Sequence, residues 1–268
     1  MRLLDRFSSV FLVVIFALVF GMGILWQKVT QLEKGSVSGT TTTNTATTTN
    51  PTPAQQAATV TLDQIKKLFA NNDLIKFGDA NRKVLFVEVG DPSCPYCHVA
   101  GGEDPQLNSQ MGATFKLDSD GGTYQAPVTG MRKLVDSGKA SFLYVYFPGH
   151  GNGEMGMKAL YCADEKGKFW EAHDLIMSNS GYNLMNNDVK NDKAQSQKVA
   201  DFLKNVVDST FMKSCLDSGK YDSKLTSDTT IAQGLGVSGT PGFFVNTTPF
   251  AGAYSFKDMQ GAIDSALK

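Results

Sequence analysis

The sequence predicts an α/β fold on three observations. Two apolar, β-branched runs, Val84–Val89 and Ser141–Phe147, read as buried strands. A cysteine-bearing turn, Asp91-Pro92-Ser93-Cys94-Pro95-Tyr96-Cys97-His98, follows the first strand directly. Apolar residues then recur at helical spacing, as at Val128, Met131, Leu134 and Val135, and again from Met157 to Val206.

The cysteine turn organises the rest. Two cysteines two residues apart, at the end of a strand, have the spacing of a dithiol redox site. With Cys94 at the start of a helix, free backbone N–H groups stabilise its thiolate. Cys97, one turn on, is then placed to close or resolve a disulfide. Pro95 falls in the first helical turn, where its missing N–H costs nothing. A structural disulfide or half of a zinc site is the competing reading.

The chain has 268 residues, 41% hydrophobic and 19% charged, with a formal net charge of −1. That composition supplies a sizeable core and gives no support for nucleic-acid binding. Residues 1–30 carry Arg2 and Arg6 ahead of an apolar segment, Val10–Trp26. A cleaved signal peptide needs small residues after such a run, and Gly23-Ile24-Leu25-Trp26-Gln27-Lys28 does not supply them. The expectation is a single-pass anchor with a cytoplasmic N-terminus, an extracytoplasmic remainder and Trp26 at the interface. Residues 31–58, rich in threonine, read as a disordered linker, and residues 59–268 as the folded domain.

Within the folded part, Thr61 is a cap for a helix over Leu62–Phe69. Ile75–Phe77 reads as a short strand and Gly78–Asn81 as the turn into the central one. Glu88 shares a strand face with Val84 and Phe86, six residues before Cys94. It is either a buried acid with a raised pKa that exchanges protons with Cys97, or an edge residue reaching water. Residues 100–126 form a polar, glycine-rich interruption before helix resumes near Val128 and stops at Gly138. After the second strand and the turn Pro148–Gly153, helix is expected over about 154–180 and 191–216, with a turn at Ser180-Gly181. A further helix ends near Leu235, followed by Gly239-Thr240-Pro241-Gly242, where a cis Thr240–Pro241 bond is compatible with the sequence. A hairpin through Ala251–Tyr254 and a helix over Phe256–Leu267 complete the domain.

Cys162 and Cys215 both fall in the helical region, as two free buried thiols or as a stapling disulfide. His150, in its glycine-rich turn, is a weak candidate for the active face or a metal, and His173 reads as a core histidine. The Met-containing turn Glu154-Met155-Gly156-Met157 lends slight support to a thiol-based metal-binding module.

Together, an acid six residues before Cys-Pro-Tyr-Cys, the helical segment Lys168–Asp174, and Gly-Thr-Pro-Gly-Phe-Phe-Val-Asn over 239–246 resemble the DsbA-like thiol–disulfide oxidoreductases, in their membrane-anchored bacterial branch. The resemblance covers about residues 75–268. It implies a thioredoxin fold split by an inserted helical domain at about 150–222, with a cis Pro241 against the cysteine turn. It implies that Cys94 is the exposed nucleophile, Cys97 the resolving thiol, Glu88 the buried acid and Thr240 a tuner of the redox poise. Pro95, Tyr96 and His98 would modulate the motif, and Cys162–Cys215 would be a second, structural disulfide. The implied partners are thiol-containing exported proteins and a quinone-linked membrane reoxidant, DsbB-like or VKOR-like. No metal or organic cofactor is implied. Two features depart from the family: the interruption at 100–126, and a Pro95-Tyr96 dipeptide of the kind found in glutaredoxin-like reductants. The second keeps a reductase or isomerase direction open.

Overall fold

A computed structural model describes residues 59–268 of the chain. The anchor and linker expected over residues 1–58 lie outside the described residues. Among the described residues, no helix is long and apolar enough to cross a membrane.

The fold grows from strand β2 (Val84–Gly90), all seven residues of which are buried. Such a strand must be covered on both faces, and its near-continuous apolar run reads accordingly. Its neighbours are β3 (Ala140–Tyr146), which runs parallel, and β4 (Gly242–Val245), which runs antiparallel. Short β1 (Ile75–Phe77) and β5 (Thr248–Ala251) form the edges, giving the order β1-β3-β2-β4-β5. Pro249 sits in the exposed edge strand, where a missing ladder donor is tolerated.

One sheet face packs Leu85, Val87, Val89, Leu143, Val145 and Phe244 under α1 (Leu62–Ala70) and α10 (Asp222–Gly234). Helix α1 begins at a capping box formed by Thr61 and Gln64. The other face carries Val84, Phe86, Phe142, Tyr144, Tyr146 and Phe243. It is covered by α2 (Pro95–Gly101), α4 (Pro127–Asp136), α11 (Phe256–Leu267) and the helices inserted after β3. Between α2 and α4 lie α3 (Pro105–Gln110) and two 3₁₀ turns.

The inserted helices are more broken than the periodicity predicts. They run as α5 (Glu154–Asp164), α6 (Phe169–Ile176), α7 (Asn179–Asn183), a π-turn Leu184–Val189, α8 (Ser196–Phe202) and α9 (Ser209–Asp217). The expected turn at Ser180-Gly181 is helical, inside α7, because Ser178 caps it by accepting from Gly181 N. The break comes later, where Lys190 and Asn191 adopt left-handed backbone at φ 45° and 63°. The C-terminal hairpin also turns earlier than expected, at Asn246-Thr247 between β4 and β5. There Asn246 at φ 52° bonds back through its side chain to Leu85 of β2 and to Lys83 just before that strand.

Of the two readings of Cys162 and Cys215, the disulfide is the one present, joining α5 to α9 across a separation of 53 residues. A closed loop of that size lowers the entropy of the unfolded chain by an amount equivalent to about 4 kcal/mol. Replacing both cysteines with alanine is expected to lower unfolding free energy by roughly 2–4 kcal/mol, allowing for lost native contacts. Guanidinium titration of the variant beside the parent checks this, and an unchanged midpoint would contradict it.

Candidate active site

Strand β2 delivers Asp91 to the buried floor of the cysteine turn, and Asp91 builds the site around itself. Its Oδ1 accepts from Ser93 N and Ser93 Oγ, both at 2.8 Å. Its Oδ2 accepts from His150 N at 2.7 Å. Ser93 Oγ in turn accepts from Asn152 N at 3.1 Å, and Asn186 Nδ2 donates to Ser93 O at 3.1 Å. One carboxylate thus ties the loop after β3 to the turn before Cys94. The approach is so close that a Cβ on Gly153 would lie 1.7 Å from Asp91 Oδ1, which accounts for glycine there.

Cys94 is the N-cap of α2 and Pro95 its first residue. The two sulfurs are not bonded to each other. The family resemblance implies an exposed nucleophile, but only 5% of Cys94 is accessible, against 1% for Cys97. The cover is Thr240, whose carbonyl oxygen lies 3.3 Å from Cys94 Sγ and accepts from its thiol form. The Thr240–Pro241 bond is cis, and Pro241 is buried just before β4.

The two sulfurs differ sharply in acidity. Hydrogen bonding from the Cys97 thiol, then from the Thr240 side chain and the backbone N–H groups of Cys97 and Tyr96, brings Cys94 down to about 6 against the opposing effect of burial. Burial pushes the Cys97 thiol well up, and the neighbouring Cys94 adds to the rise. Cys97 Sγ receives one stabilising contact, from Asp91 N at 3.4 Å. Glu88 is fully buried in the central strand, opposite Tyr144 on one side and Phe243 on the other, so it is no edge residue. Burial raises its pKa to about 8.

The remaining candidates take quieter places. His98 is buried, with Nδ1 2.8 Å from Met177 O and Nε2 2.9 Å from Pro92 O. It ties the cysteine turn to the end of α6 and does not face the thiol. His150 is exposed and contributes its backbone N–H, and His173 is buried among Phe169, Trp170 and Tyr144. Met155 and Met157 are buried in α5 as core, which removes the support they lent to metal binding. Cys162 and Cys215 stand near Glu165, but their sulfurs are bonded to each other and are not free to ligate an ion.

Sequence reasoning missed Asp91, whose proximity to loop 148–153 is visible only in three dimensions. It also missed Phe115, which the 100–126 interruption places against Tyr96 with ring centroids 5.7 Å apart. Buried Asn108 holds that arrangement, donating to Val99 O of α2 and to Phe115 O, both at 3.1 Å.

The sequence pattern of a protein family described as thioredoxin matches residues 128–265, just over half of the chain. The chain belongs to this thioredoxin family. The matched span holds Pro241 and both disulfide cysteines, and the cysteine turn precedes it. The solved structure of a thioredoxin-like oxidoreductase from Silicibacter pomeroyi is 22% identical, covering 75% of this chain and 96% of that one at a TM-score of 0.51. Alpha-DsbA1 of Wolbachia pipientis is 18% identical, covering 76% and 96%, at a TM-score of 0.57. The fold is therefore DsbA-like. A stretch of 197 residues is also 24% identical to the Na(+)/H(+) antiporter NhaA 3 of Salinispora tropica, covering 71% of this chain and 24% of the antiporter. The chain spans about a quarter of the length of that curated relative. The two sulfurs, one acidic and one buried with its proton held, have the arrangement that thiol–disulfide exchange uses.

Two pH dependences follow. Iodoacetamide should modify Cys94 of the reduced protein with a midpoint near pH 6 and leave Cys97 untouched, read by peptide mass mapping. A midpoint near 9, the ordinary thiol value, would contradict the geometry. Glu88 binds its proton more tightly in the folded state, so it costs stability increasingly as pH rises from 4.5 to about 8. Glu88→Gln should therefore stabilise the protein more at pH 8.5 than at pH 4.5. Equal gains at both pH values in thermal unfolding would count against this.

Proposed function

We propose that this protein is an extracytoplasmic, membrane-anchored oxidase that introduces disulfides into exported proteins through Cys94 and Cys97. The observation that carries the proposal is the split between the two sulfurs: Cys94 acidic at about 6, Cys97 buried and raised. A stabilised Cys94 thiolate favours the reduced pair over the disulfide and makes Cys94 a good leaving group. Both effects drive electrons from a substrate dithiol into the protein. The apolar run Val10–Trp26 behind two arginines supports the anchor and its orientation. The Cys162–Cys215 disulfide supports an oxidising compartment.

In the forward cycle a substrate thiolate attacks Cys94 Sγ of the disulfide, and Cys97 leaves as a thiolate that takes up a proton. A second substrate thiolate then attacks the substrate sulfur of the mixed disulfide and releases Cys94. The substrate gains a disulfide, and two electrons rest in the Cys94–Cys97 dithiol. A quinone-linked membrane partner, DsbB-like or VKOR-like, would remove them. Glu88 is placed to exchange the proton of Cys97. Thr240, which covers Cys94, would release its carbonyl to pair with the backbone of the incoming strand beside Pro241.

Reductase or isomerase work uses the same atoms at a different potential, and the Pro95-Tyr96 dipeptide favours it. Equilibrating the purified protein against glutathione decides between them. Disulfide formation predicts a potential near the strongly oxidising reference of about −120 mV, whereas about −270 mV would assign a reductase. Cys94→Ser should abolish exchange in either case, and retained activity would overturn both.

A further inference from the structure

Gly149 lies in the loop between β3 and α5, and its own backbone does not call for glycine. Its φ is outside the left-handed region that Gly151, two residues on, occupies at 97°. What sets it apart is a neighbour. A Cβ built on Gly149 would stand 1.9 Å from Thr240 Oγ1, 2.9 Å from Thr240 Cβ and 3.1 Å from Thr240 Cγ2. All three atoms belong to the residue whose carbonyl oxygen lies 3.3 Å from Cys94 Sγ. The bare Cα of Gly149 is thus a seat for the cover over the nucleophile.

A seat fixes its occupant only if it cannot give way. This loop is held at each residue from 149 to 152. Gly149 N donates to Phe147 O at 2.8 Å, and His150 N to Asp91 Oδ2 at 2.7 Å. Gly151 O accepts from Asn191 Nδ2 at 2.8 Å, and Asn152 N donates to Ser93 Oγ at 3.1 Å. Across the contact the chain is freer. Ser238 and Gly239 are exposed, and a Cβ on Gly239 would meet nothing within 4 Å. Turning Thr240 about χ1 would move Oγ1 aside but leave its Cβ where it is, 2.9 Å away. Crowding at 149 must therefore shift the Thr240 backbone. The carbonyl already stands at contact distance from Cys94 Sγ, so a shift slides it off the sulfur.

We propose that Gly149 is a positioning residue of thiol–disulfide exchange: its missing side chain sets the place of Thr240 over Cys94, and the bonds of its loop to Asp91 and Ser93 tie that place to the cysteine turn. Nucleophile and cover are then set from one frame, although they lie 146 residues apart in the chain. Gly149 touches no reacting atom and acts through Thr240. The proposal rests on Cys94 being the acidic nucleophile and is indifferent to the direction of electron flow.

The test uses the full-length reduced protein, with Cys94 alkylated by iodoacetamide from pH 4 to pH 10. Gly149→Ala should raise the midpoint by about half a pH unit or more, because Thr240 no longer supports the thiolate. At pH 10, where Cys94 is ionised in both proteins, alkylation should run roughly threefold faster with the cover displaced. Equilibrium against glutathione should move about threefold toward the Cys94–Cys97 disulfide, since a less stabilised thiolate makes the reduced pair less favourable. In a Thr240→Gly background the three crowded atoms are gone, and Gly149→Ala should add nothing to what Thr240→Gly does alone.

A parent midpoint near 6 beside an unmoved midpoint and rate in Gly149→Ala would overturn the positioning role and leave the nucleophile standing. A parent midpoint near 9 would remove the acidic nucleophile and the positioning role with it. Equal effects of Gly149→Ala with and without the Thr240 side chain would also overturn the proposal, by placing the action elsewhere in the loop. Should Gly149→Ala fail to fold, the double variant decides: folding restored by Thr240→Gly supports the contact, and continued failure overturns it.

Discussion

The site depends on a buried carboxylate that is itself no reactant. Asp91 accepts from Ser93 N, Ser93 Oγ and His150 N, and so joins the end of β2, the cysteine turn and the loop after β3. Burying a charge is costly unless it is fully hydrogen-bonded, and here it is. The same satisfied network leaves Cys94 free to cap α2 without using its side chain for local bonds. With the turn fixed, Cys97 must point inward toward Asp91 N, and Cys94 must meet Thr240. The asymmetry of the two sulfurs is thus a consequence of where Asp91 stands.

That asymmetry has opposite thermodynamic signs on the two sides of the turn. Cys94 in the folded, reduced protein releases its proton at about 6, below its ordinary 9. It therefore adds stability to the reduced form that is fully present above pH 9 and lost as pH falls toward 6. Glu88 works the other way, since its folded-state pKa is raised. Between about 6 and 8 the folded protein holds an ionised thiolate near the surface and a protonated carboxyl beneath it. A proton reservoir under an acidic thiol is what exchange needs, because each pass through the mixed disulfide moves one proton at Cys97.

Much of this was legible along the chain, for reasons that particular residues make plain. Val84–Val89 announces a central strand because its near-continuous apolar run leaves no room for alternation. Cys94-Pro95-Tyr96-Cys97 announces a helix start because proline suits its first turn and the cysteine spacing spans one turn. Glu88 stood out as a charge where only apolar residues belong. Less legible were features set by contacts distant in sequence. Asp91 looked like an ordinary turn residue, and its third bond comes from position 150. Ser180-Gly181 looked like a turn, yet Ser178 caps a helix through it.

The interruption at 100–126 carries the same lesson into specificity. Its glycines and polar residues read as a loop, yet Val99, Leu117, Tyr124 and Ala126 close a small core of their own. Phe256 N donates to Gln125 O at 2.8 Å, and Gln125 N to Ser255 Oγ at 3.1 Å, so the segment is clamped to the start of α11 as well as to α2. A segment fixed at both ends has little freedom, and Asn108 spends its buried amide on holding Phe115. Tyr96, 43% exposed, therefore stands beside the nucleophile with an aromatic ring packed behind it. A dipeptide is commonly read as a setting of redox potential alone. Here its second residue is also braced from outside the turn, so the chain's departure from its family and its reactive sulfur are parts of one surface.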